Sequence, residues 1–355
     1  MPDSSVRIDT VVIGAGQAGL AAAYYLQQLQ QPFVVLDERP AVGHVWASRF
    51  ESLRLFSPAW ASGLPGLPWP GNARRYPTKD EAAAYLQHYA EHFHLPVRLG
   101  QRVTRVAPAG TGTGYLVSTA AGPHYQARNV IVCTGPYNAP RLPQFAHQLQ
   151  STVTQLHSSA YRQPAQLPGA GPVAVVGSGN SALQIGADLA TTGRPVYAAY
   201  NERTPALPNH TGMWLFLQST GLMRVPRHSW LGRRMLARPE PVVSADLARL
   251  RSFANVHFIG SAGGVVADGR GLQGTSGATP PLQAVVWATG YGPAFNWIQV
   301  PVFDAAGEPR HHRGLTEAPG LAFLGLPWLH TRSSALMGGA GPDARYVVEA
   351  LLKRT

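Results

Sequence analysis

Apolar positions in this chain gather into short unbroken runs rather than long alternating stretches, the mark of strands buried on both faces of a parallel sheet. Arg7 to Ile13 is the first such run and Phe33 to Leu36 the second, with an alanine-rich helix between them through about Gln30. The pattern returns later as strand Pro172 to Val176, helix Ala182 to Ala190 and strand Pro195 to Tyr200. Two more runs, Ala127 to Cys133 and Leu282 to Ala288, end in tight turns, Cys133-Thr134-Gly135 and Ala288-Thr289-Gly290-Tyr291. Strand-helix-strand units met twice predict an α/β fold with two Rossmann-like, dinucleotide-binding domains.

The turns inside these units carry the chemistry. Gly14-Ala15-Gly16-Gln17-Ala18-Gly19 follows the first strand directly. In such a turn Gly14 makes the bend, Gly16 lets the backbone approach a pyrophosphate, and Gly19 lets helix and strand pack closely. The helix N-terminus adds N–H donors and a positive dipole end. Asp37, with Glu38 beside it, stands where a carboxylate accepts ribose hydroxyls. The second turn, Gly177-Ser178-Gly179-Asn180-Ser181-Ala182, has alanine in the third glycine's place.

Two units imply two dinucleotides face to face, one a permanent redox centre and the other a hydride donor: a flavin and a nicotinamide. The alternative is one large domain with a merely structural second turn. At the end of the strand Pro195 to Tyr200, Arg203 and Thr204 suit a 2′-phosphate while Glu202 suits free ribose hydroxyls. Use of both NADPH and NADH is therefore expected, with NADPH modestly favoured.

Composition narrows the chemistry. Cys133 is the only cysteine, which excludes a disulfide framework, a thiolate metal cluster and a Cys-x-x-Cys redox pair within one chain. The net charge of +11 comes almost wholly from arginines, scattered along the chain, and favours anionic cofactors over nucleic acid. Val11 to Leu26 is interrupted by Gly14, Gly16 and Gly19, unlike a signal peptide, and no run reaches the ~18 apolar residues of a membrane span. A cytoplasmic location with no membrane partner is expected. His88, His92 and His94 lie close together without an H-E-x-x-H pattern and read as helix surface, so no metal is expected. His210, Trp214, Phe216, His228 and Trp230 either line a substrate entrance or belong to the core.

With these features in place, the chain resembles the flavin-containing monooxygenases, most closely their short bacterial relatives. The resemblance runs through the first turn, Gly43-His44-Val45-Trp46, Leu53-Arg54-Leu55-Phe56-Ser57-Pro58, Tyr76-Pro77-Thr78, the second turn, the Ala-Thr-Gly-Tyr turn, and Gly325-Leu326-Pro327-Trp328 to Gly341. It implies an FAD domain of residues 1–160 and 285–355 with an inserted NAD(P)H domain at 161–284. Implied cofactor contacts are Gly14, Gly16, Gln17, Ala18, Gly19, Asp37, Glu38, Val45, Trp46, Val103, Thr134 and Gly135, then Gly177, Gly179, Asn180, Ser181, Arg203, Thr289, Gly290 and Leu336. The resemblance also implies a last helix from about Asp343, after a loop whose amides around Ser334 to Met337 would approach the pyrimidine side of the flavin.

Larger members place an asparagine near Phe56 and Ser57, so these two are the candidate catalytic residues, Ser57 offering one hydroxyl donor. Of the family's aromatic and histidine signature, His157 and Tyr161 remain, with Ser151 and Val153 in the first two places. The resemblance implies oxygenation of a small organic substrate, a sulfide, amine or ketone, by a flavin C4a-(hydro)peroxide formed from oxygen. A reductase or oxidase passing electrons to oxygen or a small acceptor is the rival, and a redox sensor without turnover the third reading.

Overall fold

The computed structural model describes residues 5–110, 113–120 and 122–353. In the first half, β1 (Val6–Ile13), α1 (Gln17–Gln28) and β2 (Phe33–Leu36) are followed by α2 (Lys79–His92), β3 (Val97–Arg98), β4 (Val103–Pro108), β5 (Tyr115–Thr119) and β6 (Tyr125–Val132). The second unit holds β7 (Thr154–His157), β8 (Val173–Val176), α3 (Asn180–Ala190), β9 (Val196–Ala199), α4 (Thr211–Ser219), α5 (Trp230–Leu236), α6 (Ser244–Arg251), β10 (Val256–Phe258) and β11 (Ala284–Trp287). The chain then returns through β12 (Leu321–Phe323) and ends in α7 (Ala340–Lys353).

The first sheet runs β3-β2-β1-β6-β5-β4, with β12 also beside β6. β1 pairs in parallel with β2 and β6, and the hairpin-like β4 and β5 close one side antiparallel. The second sheet, β10-β9-β8-β11-β7, is parallel throughout. β2, β8 and β11 are buried at every position, as strands covered by helices on both faces must be. Each sheet has its own apolar core, the first around β1, α1, α2, β6 and α7, the second around β8, β11 and α3.

The second sheet takes in Thr154–His157, several residues before the boundary expected at 161. This edge strand, Thr-Gln-Leu-His, carries no apolar run, because only one of its sides meets another strand. The chain crosses between units through a short ladder of Ala139–Pro140 against Tyr291–Gly292, so residues just after β6 and just after β11 meet.

α2 begins at a full capping box. The Thr78 side chain accepts from the Glu81 amide at 3.3 Å, and Glu81 Oε2 accepts from the Thr78 amide at 2.8 Å. Its start is thereby fixed against the segment 53–58, where Lys79 N–H donates to Leu53 O. Among the described residues no helix is long and apolar enough to cross a membrane.

Candidate functional site

The two glycine turns are built alike, and their glycines divide into two kinds. A Cβ on Gly14 would stand 2.6 Å from Cys133 O, and one on Gly19 1.8 Å from Gly14 O. In the second unit a Cβ on Gly177 would stand 2.2 Å from Ala288 O. Gly14 and Gly177 are glycine because the end of the neighbouring strand, β6 or β11, leaves no room, and Gly19 because the Gly14 carbonyl of its own turn leaves none. Gly16 and Gly179 differ: a Cβ on either meets nothing within 4 Å. Their backbones are ordinary extended N-caps, φ −77° and −99°. Protein packing gives no reason for glycine there; a ligand pressed against the backbone does.

Around the first turn, Asp37 Oδ2 accepts from Ala15 N–H at 2.6 Å and Oδ1 from Arg39 N–H at 2.8 Å. The carboxylate braces the turn and keeps lone pairs over for ribose hydroxyls. Glu38 pairs with Arg39 at 2.9 Å and sits 3.8 Å from Arg102. Gln101 N–H donates to Asp37 O, which brings the start of β4 and the half-buried Val103 beside Asp37. Gln17 Nε2 reaches Ala335 O at 3.4 Å, and Ala18 sits under Gly325, so the head of α1 and the loop before α7 face one another. Thr134 Oγ1, in the turn after β6, is buried without a hydrogen-bond partner among the described residues.

In the second turn Ser178 Oγ accepts from Asn201 N–H at 2.9 Å, and Asn180 Oδ1 from Val243 N–H at 2.8 Å. Ser181 is exposed on the first turn of α3. Asn201 Oδ1 accepts from Arg203 N–H at 3.0 Å, which leaves the Glu202 and Arg203 side chains exposed at the end of β9, with Thr204 buried.

Thr289 and Gly290 lie where the units cross. Thr289 Oγ1 donates to Arg141 O. Ser159 N–H donates to His157 Nδ1 at 3.1 Å, so Nε2 carries the ring proton and donates to Gly290 O at 3.0 Å. Burial lowers the pKa of His157 and keeps it neutral in that role. Tyr161, fully buried, donates to Asp188 at 2.8 Å. Sequence reasoning missed Arg49, which donates to Tyr291 Oη at 2.8 Å and lies 5.4 Å from the Tyr137 ring centre. Only its place three residues after Trp46 hinted at it.

Val45 and Trp46 sit on the single helical turn His44–Ala47, opened by Gly43 at φ +77° with its α-carbon against Ala83 of α2. Lys79 Nζ holds the far end of that turn through Ala47 O at 3.0 Å. His44 is half-buried, Val45 exposed and Trp46 packed on the first core. Phe56 is 38 % exposed and stacks on Trp214, ring centres 6.5 Å apart. Ser57 is buried, its Oγ 2.9 Å from Ser62 Oγ, while Ser62 donates to Pro58 O at 2.9 Å. The proton of Ser57 is therefore spent on Ser62.

A cavity of about 470 Å³ opens beside these segments, lined among others by Trp60, Trp214, Arg224, His330, Leu336 and Asp343. Leu336 N–H donates to Ser333 O and Ser334 N–H to Thr331 O, so these two expected amides are used within the loop. Asp343, also missed as a polar site, is 3 % exposed; its Oδ1 accepts from Arg313 at 3.3 Å and its Oδ2 has no hydrogen-bond partner among the described residues.

His88 and His92 are exposed neighbours on α2, ring centres 5.8 Å apart, and no metal-holding cluster occurs among the described residues. A different histidine group joins the two units. His228 stacks on His312 at 5.8 Å, and Arg227 N–H donates to His330 O at 2.7 Å. Burial, then Arg227, His228 and His312, push His311 down to about 4. Below pH 6.5 the unfolded chain takes up a proton at His311 that the folded chain refuses. Stability is thus lost as pH falls from 6.5 to about 4 and then levels off, by roughly 3 kcal/mol from this group. Urea midpoints for wild type and His311→Asn between pH 7 and 4 check this; equal acid losses in both would refute it.

Residues 11–215 match the pyridine nucleotide-disulphide oxidoreductase family. An uncharacterized CzcO-like oxidoreductase of Geobacillus kaustophilus is 38% identical over 97% of this chain and 98% of its own. A flavin-containing monooxygenase of Stenotrophomonas maltophilia is 29% identical, superposes with a TM-score of 0.80 and matches over 98% of both chains. An indole-3-pyruvate monooxygenase of rice, YUCCA1, is 30% identical over 64% of this chain and 55% of its own.

Proposed function

Because this chain belongs to the pyridine nucleotide-disulphide oxidoreductase family yet holds a single, buried cysteine, we propose that its two nucleotides serve oxygen rather than a disulfide. It is a flavoprotein monooxygenase that draws on NAD(P)H and molecular oxygen, with FAD and NADP(H) as cofactors. The reading of its residues rests on one observation, the matched openings over Gly16 and Gly179, one in each unit. FAD belongs to the first turn, with Gln17, Ala18, Asp37, Val103, Thr134 and Gly135 around it. NAD(P)H belongs to the second, with Asn180, Ser181 and Arg203. FAD, when bound, takes a hydride from the nicotinamide and makes oxygen reactive toward a small organic molecule.

What the chain supplies is placement. Lys79 and Gly43 hold the turn that carries Trp46, and His157 holds the Thr289–Gly290 crossing in one arrangement. Trp60, Trp214 and Leu336 wall the cavity where the substrate would lie. Sulfides, amines and ketones fit a cavity of this size and mixed lining. Phe56 contributes through its stack on Trp214. The Ser57 hydroxyl is engaged with Ser62, which braces the loop.

That engaged hydroxyl favours the second reading, a reductase or oxidase that hands electrons to oxygen without inserting it. The two are separated by oxygen balance. Oxygenation predicts that, for at least one member of a panel of sulfides, amines and ketones, oxygenated product matches the NADPH consumed. Hydrogen peroxide as the sole product throughout would establish the second reading instead.

For the nicotinamide, the exposed Glu202 and Arg203 sit in solvent where their charges are screened. Use of both cofactors is expected, with NADPH favoured about fivefold at low salt and the preference removed by Arg203→Ala. Reduction rates with each donor measure it; a preference beyond about a hundredfold, or one unmoved by Arg203→Ala, would place selection elsewhere.

A further inference from the structure

Between Arg203 and Pro239 the chain carries six arginines and no aspartate or glutamate. Within that span α4, Thr-Gly-Met-Trp-Leu-Phe-Leu-Gln-Ser, has no buried residue. A soluble helix of that composition ordinarily turns its apolar side chains onto a core. Here Leu215 and Phe216 are each more than half exposed. Further along, Trp230 opens α5 at 74 % exposure, and Arg233 and Arg234 follow at the i+3 and i+4 positions of the same face. The Arg234 guanidinium lies 5.9 Å from the Trp230 ring centre.

We propose that this excursion, residues 203–239, docks the protein on the surface of an anionic lipid bilayer. Charge selects the occupant. Arginines suit headgroup phosphates, and tryptophan, phenylalanine and leucine suit the boundary between headgroups and acyl chains. A second copy of the chain on the face of Trp230 would set Arg233 and Arg234 against the same two arginines of the other copy, and the span from Arg203 to Pro239 holds no acid to answer them. Docking of this kind needs no membrane-crossing helix. Trp214 and Gln218 of α4 also line the 470 Å³ cavity, so docking would bring that cavity to the bilayer.

The test is co-sedimentation of the flavin-loaded protein with vesicles of phosphatidylcholine alone and of phosphatidylcholine mixed with phosphatidylglycerol. Binding is expected to the mixed vesicles only, and to be released by high salt. The double variant Arg233→Gln/Arg234→Gln should weaken partitioning about thirtyfold, and Leu215→Ser/Phe216→Ser should weaken it at least tenfold. Both variants should keep wild-type flavin absorbance, which reports an intact fold. Failure to bind the mixed vesicles overturns the proposal, as does binding that both variants retain. A dimer detected by light scattering that Leu215→Ser/Phe216→Ser dissolves also overturns it, because the face would then be covered by a second copy.

Discussion

Gly16→Val protein is expected to fold, purify in normal yield and emerge colourless. The backbone at Gly16, φ −77° and ψ −174°, suits any residue, and the space beyond its α-carbon is open to at least 4 Å. A Cβ at this position therefore meets no atom of the described residues within 4 Å. As an N-cap replacement of glycine valine changes stability by no more than about 1 kcal/mol. What it does meet is the approach to the N-terminus of α1, where a pyrophosphate would lie against the backbone. The added methyls hold the phosphates off the helix N–H groups, and FAD affinity falls at least about a hundredfold. Flavin absorbance per chain and the thermal midpoint of the apoprotein, measured together, decide the matter. A yellow variant, or one that fails to fold, would show that Gly16 serves the fold and not a cofactor. Gly19→Val makes the contrast: a Cβ there overlaps Gly14 O at 1.8 Å, and loss of folding is expected.

The second large effect separates the two cofactors. Gly179→Val is expected to leave the protein yellow and folded while reduction of its flavin by NADPH slows at least about a hundredfold. Gly179 has the same extended backbone and the same open space as Gly16, but at the head of α3 in the other sheet. Its substitution blocks only what binds there. Rapid-mixing traces of flavin absorbance without air measure the reduction rate, and dithionite serves as control, since it reduces the flavin without using the second turn. Unchanged reduction by NADPH would make the second turn structural. Loss of flavin colour would mean that both turns grip one molecule.

Both turns were legible because a buried parallel strand is an unbroken apolar run, and glycine marks where backbone meets backbone or ligand. β2 runs Phe33 to Leu36 as read from the pattern, and α1 stops at Gln28, slightly short of expectation. α7 starts at Ala340 rather than Asp343, since Gly341 and Pro342 in its first turn obscure the helical pattern. Edges and contacts between distant segments were not legible. β7 lacks an apolar run because it lies at a sheet edge. The Arg49–Tyr291 bond joins residues far apart in the chain, and no local spacing announces it. Ser57 looked free for catalysis because its partner Ser62 closes on it only through the turn between them. The stretch from His210 to Trp230 misled in the opposite sense: its apolar composition reads as core or substrate entrance, yet Phe216 and Trp230 lie on the surface, and of the five residues singled out there only Trp214 lines the cavity.

On the function proposed above, one chain holds a resident flavin in its first unit and reduces it with a nicotinamide held by its second. This is tested most directly by the visible spectrum of the purified protein, recorded as isolated, after NADPH without air, and after air is admitted. An oxidised flavin spectrum at one FAD per chain, bleaching on NADPH, and return of the oxidised spectrum with oxygen consumed are expected. A flavin spectrum that NADPH leaves unchanged, or a chain that stays colourless when refolded with excess FAD, would contradict that function.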